Sequence, residues 1–169
     1  GHIKMDFVNL AEEIANADNI DYEIDEKIRK FCEQASKNLK VPFISVVGAE
    51  RGCRPLFPFF NDTPSNNGIA ATRDPQAAYE IAASIARELK MSATYWNWAP
   101  VCDNNSPFRA SSLTRGFSSD VDLSIEMTKA YVEGTQSENV AACLKHFPGG
   151  DSFEYRDTHF SEALINDSY

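Results

Sequence analysis

No stretch of this sequence approaches the about 18–20 consecutive apolar residues that a membrane-crossing helix needs, and the opening GHIKMDF has no apolar h-region of the kind a secretory signal carries. Cysteine is sparse: Cys32, Cys53, Cys102 and Cys143 stand far apart, with no C-x-x-C pair and no histidine at metal-ligand spacing. A disulfide framework and a metal centre are therefore not expected. The thiols read as isolated buried residues of a chain kept in a reducing, cytoplasmic compartment. Positive charge is also short, with 16 Lys and Arg against 25 Asp and Glu for a net charge of −9. Such a field repels phosphate backbones and anionic head groups, which argues against nucleic acid or a membrane surface as partner. No strand exit carries a glycine-rich phosphate loop leading straight into a helix, so a flavodoxin-like domain is a poor fit.

What is present suits a folded, soluble domain. Of 169 residues 43% are hydrophobic and 24% charged, which excludes wholesale disorder and coiled coil. Residues 1–5 look like a vector scar, leaving 6–169 as one domain. Asp6 to Ala17 is weakly helical. After Asp21, the residues Ile24, Ile28, Phe31, Cys32, Ala35 and Leu39 recur at helical steps and predict an amphipathic helix. Val41 to Val47 is a short apolar, β-branched run, expected to be a strand buried on both faces. Gly48 to Thr72, rich in Gly, Pro, Asn and Ser, reads as a long loop. Asp74-Pro75 then opens a helix whose stripe is Ala78, Ile81, Ala82, Ile85 and Leu89. Thr94 to Val101 is an aromatic strand, followed by a polar loop. Ser118 or Ser119 is expected to cap a helix through about Gln136, with Ile125, Thr128, Tyr131, Val132 and Thr135 near one face. Val140 to His146 is a further strand, and the remainder is polar and loop-like.

Helices alternating with strands in this way imply right-handed βαβ crossovers, a parallel sheet and ligand binding at the carboxyl ends of the strands. The polar residues at those ends are Glu50 and Arg51, then Asp103 and Arg115, then Lys145, His146, Asp151, Asp157 and His159. Carboxylates mixed with basic donors suit a polyhydroxylated ligand, because hydroxyls both give and accept hydrogen bonds and charged partners make the stronger ones. The pair Lys145-His146 is unusual in closing an apolar strand. Alternation sends the two side chains to opposite sides unless the strand bends, and Pro148-Gly149-Gly150 supplies a bend.

Lys145-His146-Phe147-Pro148-Gly149 resembles the K-H-F-P-G motif of glycoside hydrolase family 3, in its β-N-acetylglucosaminidase (NagZ-like) branch. Asn97-Trp98-Ala99-Pro100-Val101 followed by Asp103 resembles the N-F-A-P-V-x-D of that family, and Thr114-Arg115-Gly116-Phe117 with Asp120 its R-S-F-G-x-D. Ala71-Thr72-Arg73-Asp74-Pro75 is similar to A-T-x-D-P, and Asp157-Thr158-His159 to D-S-H. The five motifs keep their order across residues 42–160. The resemblance implies an α/β fold of parallel βα units forming part of a TIM (β/α)₈ barrel, with a carbohydrate substrate. It also implies hydrolysis of terminal β-linked N-acetylglucosamine or related β-glycosides with retention, without cofactor or metal. On the same basis Arg115, Lys145 and His146 hold sugar hydroxyls, and Asp103 and Glu50 belong to the same pocket.

The sequence departs from the family pattern at three points. The acid/base histidine of the family's G-H-G-D-T loop has no counterpart in Gly149-Gly150-Asp151-Ser152, and Gly48 stands where the family has a sugar-binding aspartate. The family's nucleophile, an aspartate on a late strand, has no equivalent before Tyr169. Retaining hydrolysis needs two such groups about 5–5.5 Å apart, and only Asp151, Glu154 and His159 offer themselves as catalytic candidates. A complete barrel takes about 200–250 residues or more, so the expectation is an incomplete barrel, a fragment inactive alone that self-associates or joins the missing remainder. The other reading is a non-catalytic sugar-binding or scaffold module of the same fold.

Overall fold

The computed structural model describes residues 13–14, 16–17, 20–41, 43–103 and 115–147. Their elements are α1 (Tyr22–Asn38), β1 (Val46–Val47), α2 (Asn66–Ala70), α3 (Pro75–Met91), β2 (Trp96–Asn97), α4 (Val121–Ser137) and β3 (Ala141–Ala142). The strands are parallel in the order β1-β2-β3, with Val46 beside Trp96 beside Ala141. Chain order equals spatial order, so among the described strands there is no point where the order reverses, the place where a doubly wound sheet seats its ligand. The regular strands are shorter than the apolar runs, but their pairing continues past both ends. Tyr95 N–H donates to the Ser45 carbonyl, Trp98 N–H to Val47 and Cys102 N–H to Lys145, and Val101 bridges Lys145.

Short polar side chains start each long helix. The Asp21 carboxylate accepts from Ile24 N–H at 2.9 Å, and that of Asp74 from Gln76 N–H at 3.0 Å ahead of Pro75. Both satisfy backbone donors that the first turn leaves without partners. For α4 the cap is Asp120, which accepts from Leu123 N–H, rather than Ser118 or Ser119. Ser118 sits one step upstream, its hydroxyl accepting from Asp120 N–H, so it fixes the residue that caps. The expected long loop also contains a helix. Ser65 caps α2, whose Asn66, Ile69 and Ala70 are buried. Its five residues are too few to show a helical period, which is why the sequence reads as loop there.

The core lies between the sheet and the α3–α4 pair. Ala78, Ala82, Ile85 and Leu89 of α3 are buried against Met127 and Tyr131 of α4, with Phe117, Ala99 and Cys53 completing the cluster. The helices approach so closely at Gly134 that an added Cβ would lie 2.2 Å from the Tyr79 carbonyl oxygen. That contact sets the rotation of α4. Its buried face is Ser124, Met127, Tyr131, Gly134 and Thr135, whereas Ile125, expected inside, is 59% exposed. Val121, Ile125, Thr128 and Val132 line an open groove with Leu144 instead. The α1 stripe is buried at Ile24, Cys32 and Ala35 and ends before Leu39, which is exposed as the C-cap.

The first strand corrects a second expectation. It is covered on one face only: Ile44 is 57% and Val46 38% exposed, and Trp96 and Trp98 on the neighbouring strand share that open side. Val47, Asn97 and Ala99 alternate to the covered side, where α3 and α4 lie. The four cysteines are free, but only Cys32 and Cys53 are buried, while Cys102 and Cys143 at the strand ends are half-buried. No described helix is long and apolar enough to cross a membrane.

Candidate functional site

The carboxyl ends of all three strands contribute to one charged cluster. Glu50 follows β1, and its carboxylate is gripped by Arg115 from the segment leading into α4, with Nε donating at 2.8 Å to Oε2 and Nη2 at 2.9 Å to Oε1. This two-pronged geometry is the strong form of an arginine–carboxylate pair. Lys145, at the end of β3, brings its ammonium onto Glu50 Oε1 as well. All three side chains are mostly buried, between 16% and 24% exposed. Burial pushes the Glu50 carboxyl up. The hydrogen bonds and charges of Arg115 and Lys145 outweigh it and hold the pKa at about 2.

Asp103, after β2, makes the second pairing. Its side chain is 2% exposed, and one oxygen accepts both the His146 backbone N–H at 3.2 Å and the ring Nδ1 at 2.6 Å. A carboxylate oxygen there calls for a proton on Nδ1, which leaves Nε2 as the second hydrogen-bonding nitrogen of the ring. The peptide bond between Lys145 and His146 is cis, and one side chain meets Glu50 while the next meets Asp103; the bend expected at Pro148-Gly149-Gly150 falls outside the described residues.

Two asparagines that sequence reasoning passed over help build the site. Asn66 of α2 donates through Nδ2 to the Arg115 carbonyl at 2.6 Å, anchoring the backbone of the arginine. Asn97 of β2 accepts through Oδ1 from Ala49 N–H at 3.0 Å, fixing the residue before Glu50. Both are about 1% exposed. A polar residue in an otherwise apolar strand was the available signal for Asn97; Asn66 sits in a polar loop where one more asparagine is inconspicuous.

The structure thus brings together Glu50, Asp103, Arg115, Lys145 and His146, five residues that the sequence singles out. Arg51 is exposed on the turn beyond Glu50 and joins none of these contacts. Asp151, Glu154, Asp157 and His159 lie outside the described residues, as do residues 1–5 and the Pro148-Gly149-Gly150 turn. Among the described residues no group of three His, Cys, Asp or Glu side chains is gathered to hold a metal. Gly48 borders the cluster: a Cβ there would lie 3.8 Å from Lys145 Nζ, so any side chain at position 48 would reach the same space. Chemically, the site can present cationic donors, an imidazole acceptor and fixed carboxylates to hydroxyls.

The chain resembles known proteins over most of its length. Residues 9–167 match the glycosyl hydrolase family 3 N terminal domain. A beta-N-acetylglucosaminidase/beta-glucosidase of Cellulomonas fimi is 32% identical over 125 residues, covering 73% of this chain and 22% of that protein. A beta-hexosaminidase of Xylella fastidiosa (strain M23) is 36% identical over 111 residues, covering 62% of this chain and 32% of the relative. Among solved structures, the beta-glucoside phosphorylase BglX superposes with a TM-score of 0.70 at 27% identity, over 76% of this chain and 24% of that one. The chain therefore spans a third or less of the length of these relatives. Its parallel βα units are those of part of a TIM (β/α)₈ barrel, and the chain belongs to glycosyl hydrolase family 3, matching the family's N-terminal domain.

Proposed function

We propose that this chain is the sugar-gripping part of a retaining β-glycosidase that removes terminal β-linked N-acetylglucosamine or a related β-glycoside. The observation that carries the reading is the convergence of Arg115, Lys145 and His146, each set by a carboxylate, at the carboxyl ends of three parallel strands. In this reading Arg115, Lys145 and His146 hold hydroxyls, and Asp103 and Glu50 complete the pocket. Cleavage needs an acid/base and a nucleophile. We assign the nucleophile to chain beyond these residues, because the match covers a third or less of the relatives' length, and keep Asp151, Glu154 and His159 as candidates for proton transfer. The 169-residue fragment alone would then be inactive, and the open apolar face around Val46 and Trp98 is where the rest of the barrel or a second copy would pack. The four free thiols support a cytoplasmic setting.

The test is release of chromophore from a p-nitrophenyl β-N-acetylglucosaminide by the enzyme that carries this chain, with and without phosphate. Water as acceptor supports a hydrolase; a phosphate requirement would make it a phosphorylase, the activity in the name of BglX. Arg115→Ala and Lys145→Ala should each lower kcat/KM by roughly ten- to a hundredfold, the worth of a charged hydrogen bond. A non-catalytic binding module is favoured by Gly48 in place of the family's aspartate. Calorimetric binding of N-acetylglucosamine without turnover would select that module.

A further inference from the structure

Glu50 meets two cations at once. Both of its oxygens accept from Arg115, and one also receives Lys145. Its own main chain is held in turn by the buried Asn97, through Ala49 N–H. The carboxylate therefore stands between two residues that approach from different directions, Arg115 before α4 and Lys145 at the end of β3. Each has a long, flexible side chain that loses considerable rotamer freedom in a fixed pose. A sugar hydroxyl binds well only where the donor already points, and misplacement on the scale of an ångström is costly.

We infer that Glu50 is a positioning residue: it sets the directions of the Arg115 guanidinium and the Lys145 ammonium together and acts on the sugar through them. The inference rests on the glycosidase reading above and narrows the role of one of its residues. Asp103 does the corresponding work for His146, and Glu50 couples two grips, so its removal should loosen both. With the carboxylate gone, two like charges are left facing one another without their shared counterion, which drives them apart. The effect should fall on substrate capture more than on the chemical step.

The experiment is a mutant cycle in the enzyme carrying this chain, assayed on the p-nitrophenyl β-N-acetylglucosaminide. Glu50→Gln keeps the shape and removes the charge. It should raise KM roughly ten- to a hundredfold with a smaller change in kcat, while the unfolding midpoint in urea shows that the variant is folded. Should Glu50→Gln fail to fold, Glu50→Asp, which keeps the charge but shortens the reach, takes its place with the same KM expectation. The deciding comparison is the same substitution made on Arg115→Ala/Lys145→Ala, where a residue acting only through those two has nothing further to lose and KM stays put. An equal KM penalty in both backgrounds, or none in either, overturns the inference while leaving the glycosidase reading intact. An unmutated enzyme that neither binds nor cleaves the glycoside overturns that reading and the inference with it.

Discussion

The two faces of the sheet carry similar side chains and have opposite fates. On one, Val47 and Ala99 lie under α3 and α4 beside Leu89, Met127 and Tyr131, in a close-packed core. On the other, Ile44, Val46, Trp96 and Trp98 stand open. Hydrophobicity alone does not separate the two sets. What separates them is whether an element lies opposite, and only the crossover helices do so among the described residues. In a barrel the uncovered side is the interior, filled by side chains of strands across the axis. Half of the apolar content of these strands thus belongs to packing that three βα units cannot supply.

The comparison can be broken most severely at the helix contact. Gly134→Ala should destabilise the fold by about 3 kcal/mol or more, since the new Cβ meets the Tyr79 backbone oxygen and neither helix can yield without unseating the other. Urea unfolding measures it, and an unchanged midpoint would mean that α3 and α4 are less close than described. Leu89→Ala, on the same covered side, should cost about 3 kcal/mol by opening a cavity around a fully buried residue.

A smaller effect is expected from acid at the rim between the faces. The folded-state pKa of Glu50 is depressed from 4.5 to about 2, so its contribution is fully present above pH about 4.5 and is lost as pH falls toward 2. The loss should be on the order of 2 kcal/mol, allowing for the part of the shift that solvent screens. Following the urea midpoint from pH 6 to 3 checks it, and Glu50→Gln should flatten this part of the curve. The smallest effect belongs to the open face, where Val46→Ser should shift stability by no more than about 0.5 kcal/mol in the 169-residue chain. A cost near that of Leu89→Ala would show that this face is covered in solution.

Much of this was legible in the residues, and the gaps have physical causes. The Asp74-Pro75 start and the α3 stripe came directly from local rules, because capping and helical period involve neighbours in sequence. The α4 stripe is legible in part: Tyr131 and Thr135 are buried as expected, but Ile125 and Val132 line an open groove, because the rotation of the helix is set at Gly134 by a residue 55 positions earlier, Tyr79. Val41 to Val47 reads as buried on both faces because an apolar run records what a strand is built to face, and among the described residues only one face is covered. At the site, charged residues after strands were conspicuous, and Glu50, Asp103, Arg115, Lys145 and His146 do converge. Which carboxylate takes which basic side chain is not readable, because it depends on how residues from three separate strand ends meet in space.

These two pairings have a consequence for assembly. Two consecutive residues reach carboxylates on two different preceding strands, Lys145 to the one after β1 and His146 to the one after β2. A slip of β3 by a single position would turn every one of its side chains to the opposite face and bring the wrong partner to each carboxylate. Both pairings form together only when the third strand lies in its native alignment against the second. The charged cluster is therefore also a two-digit combination lock on the sheet, and a chain that closes it has these three strands in register.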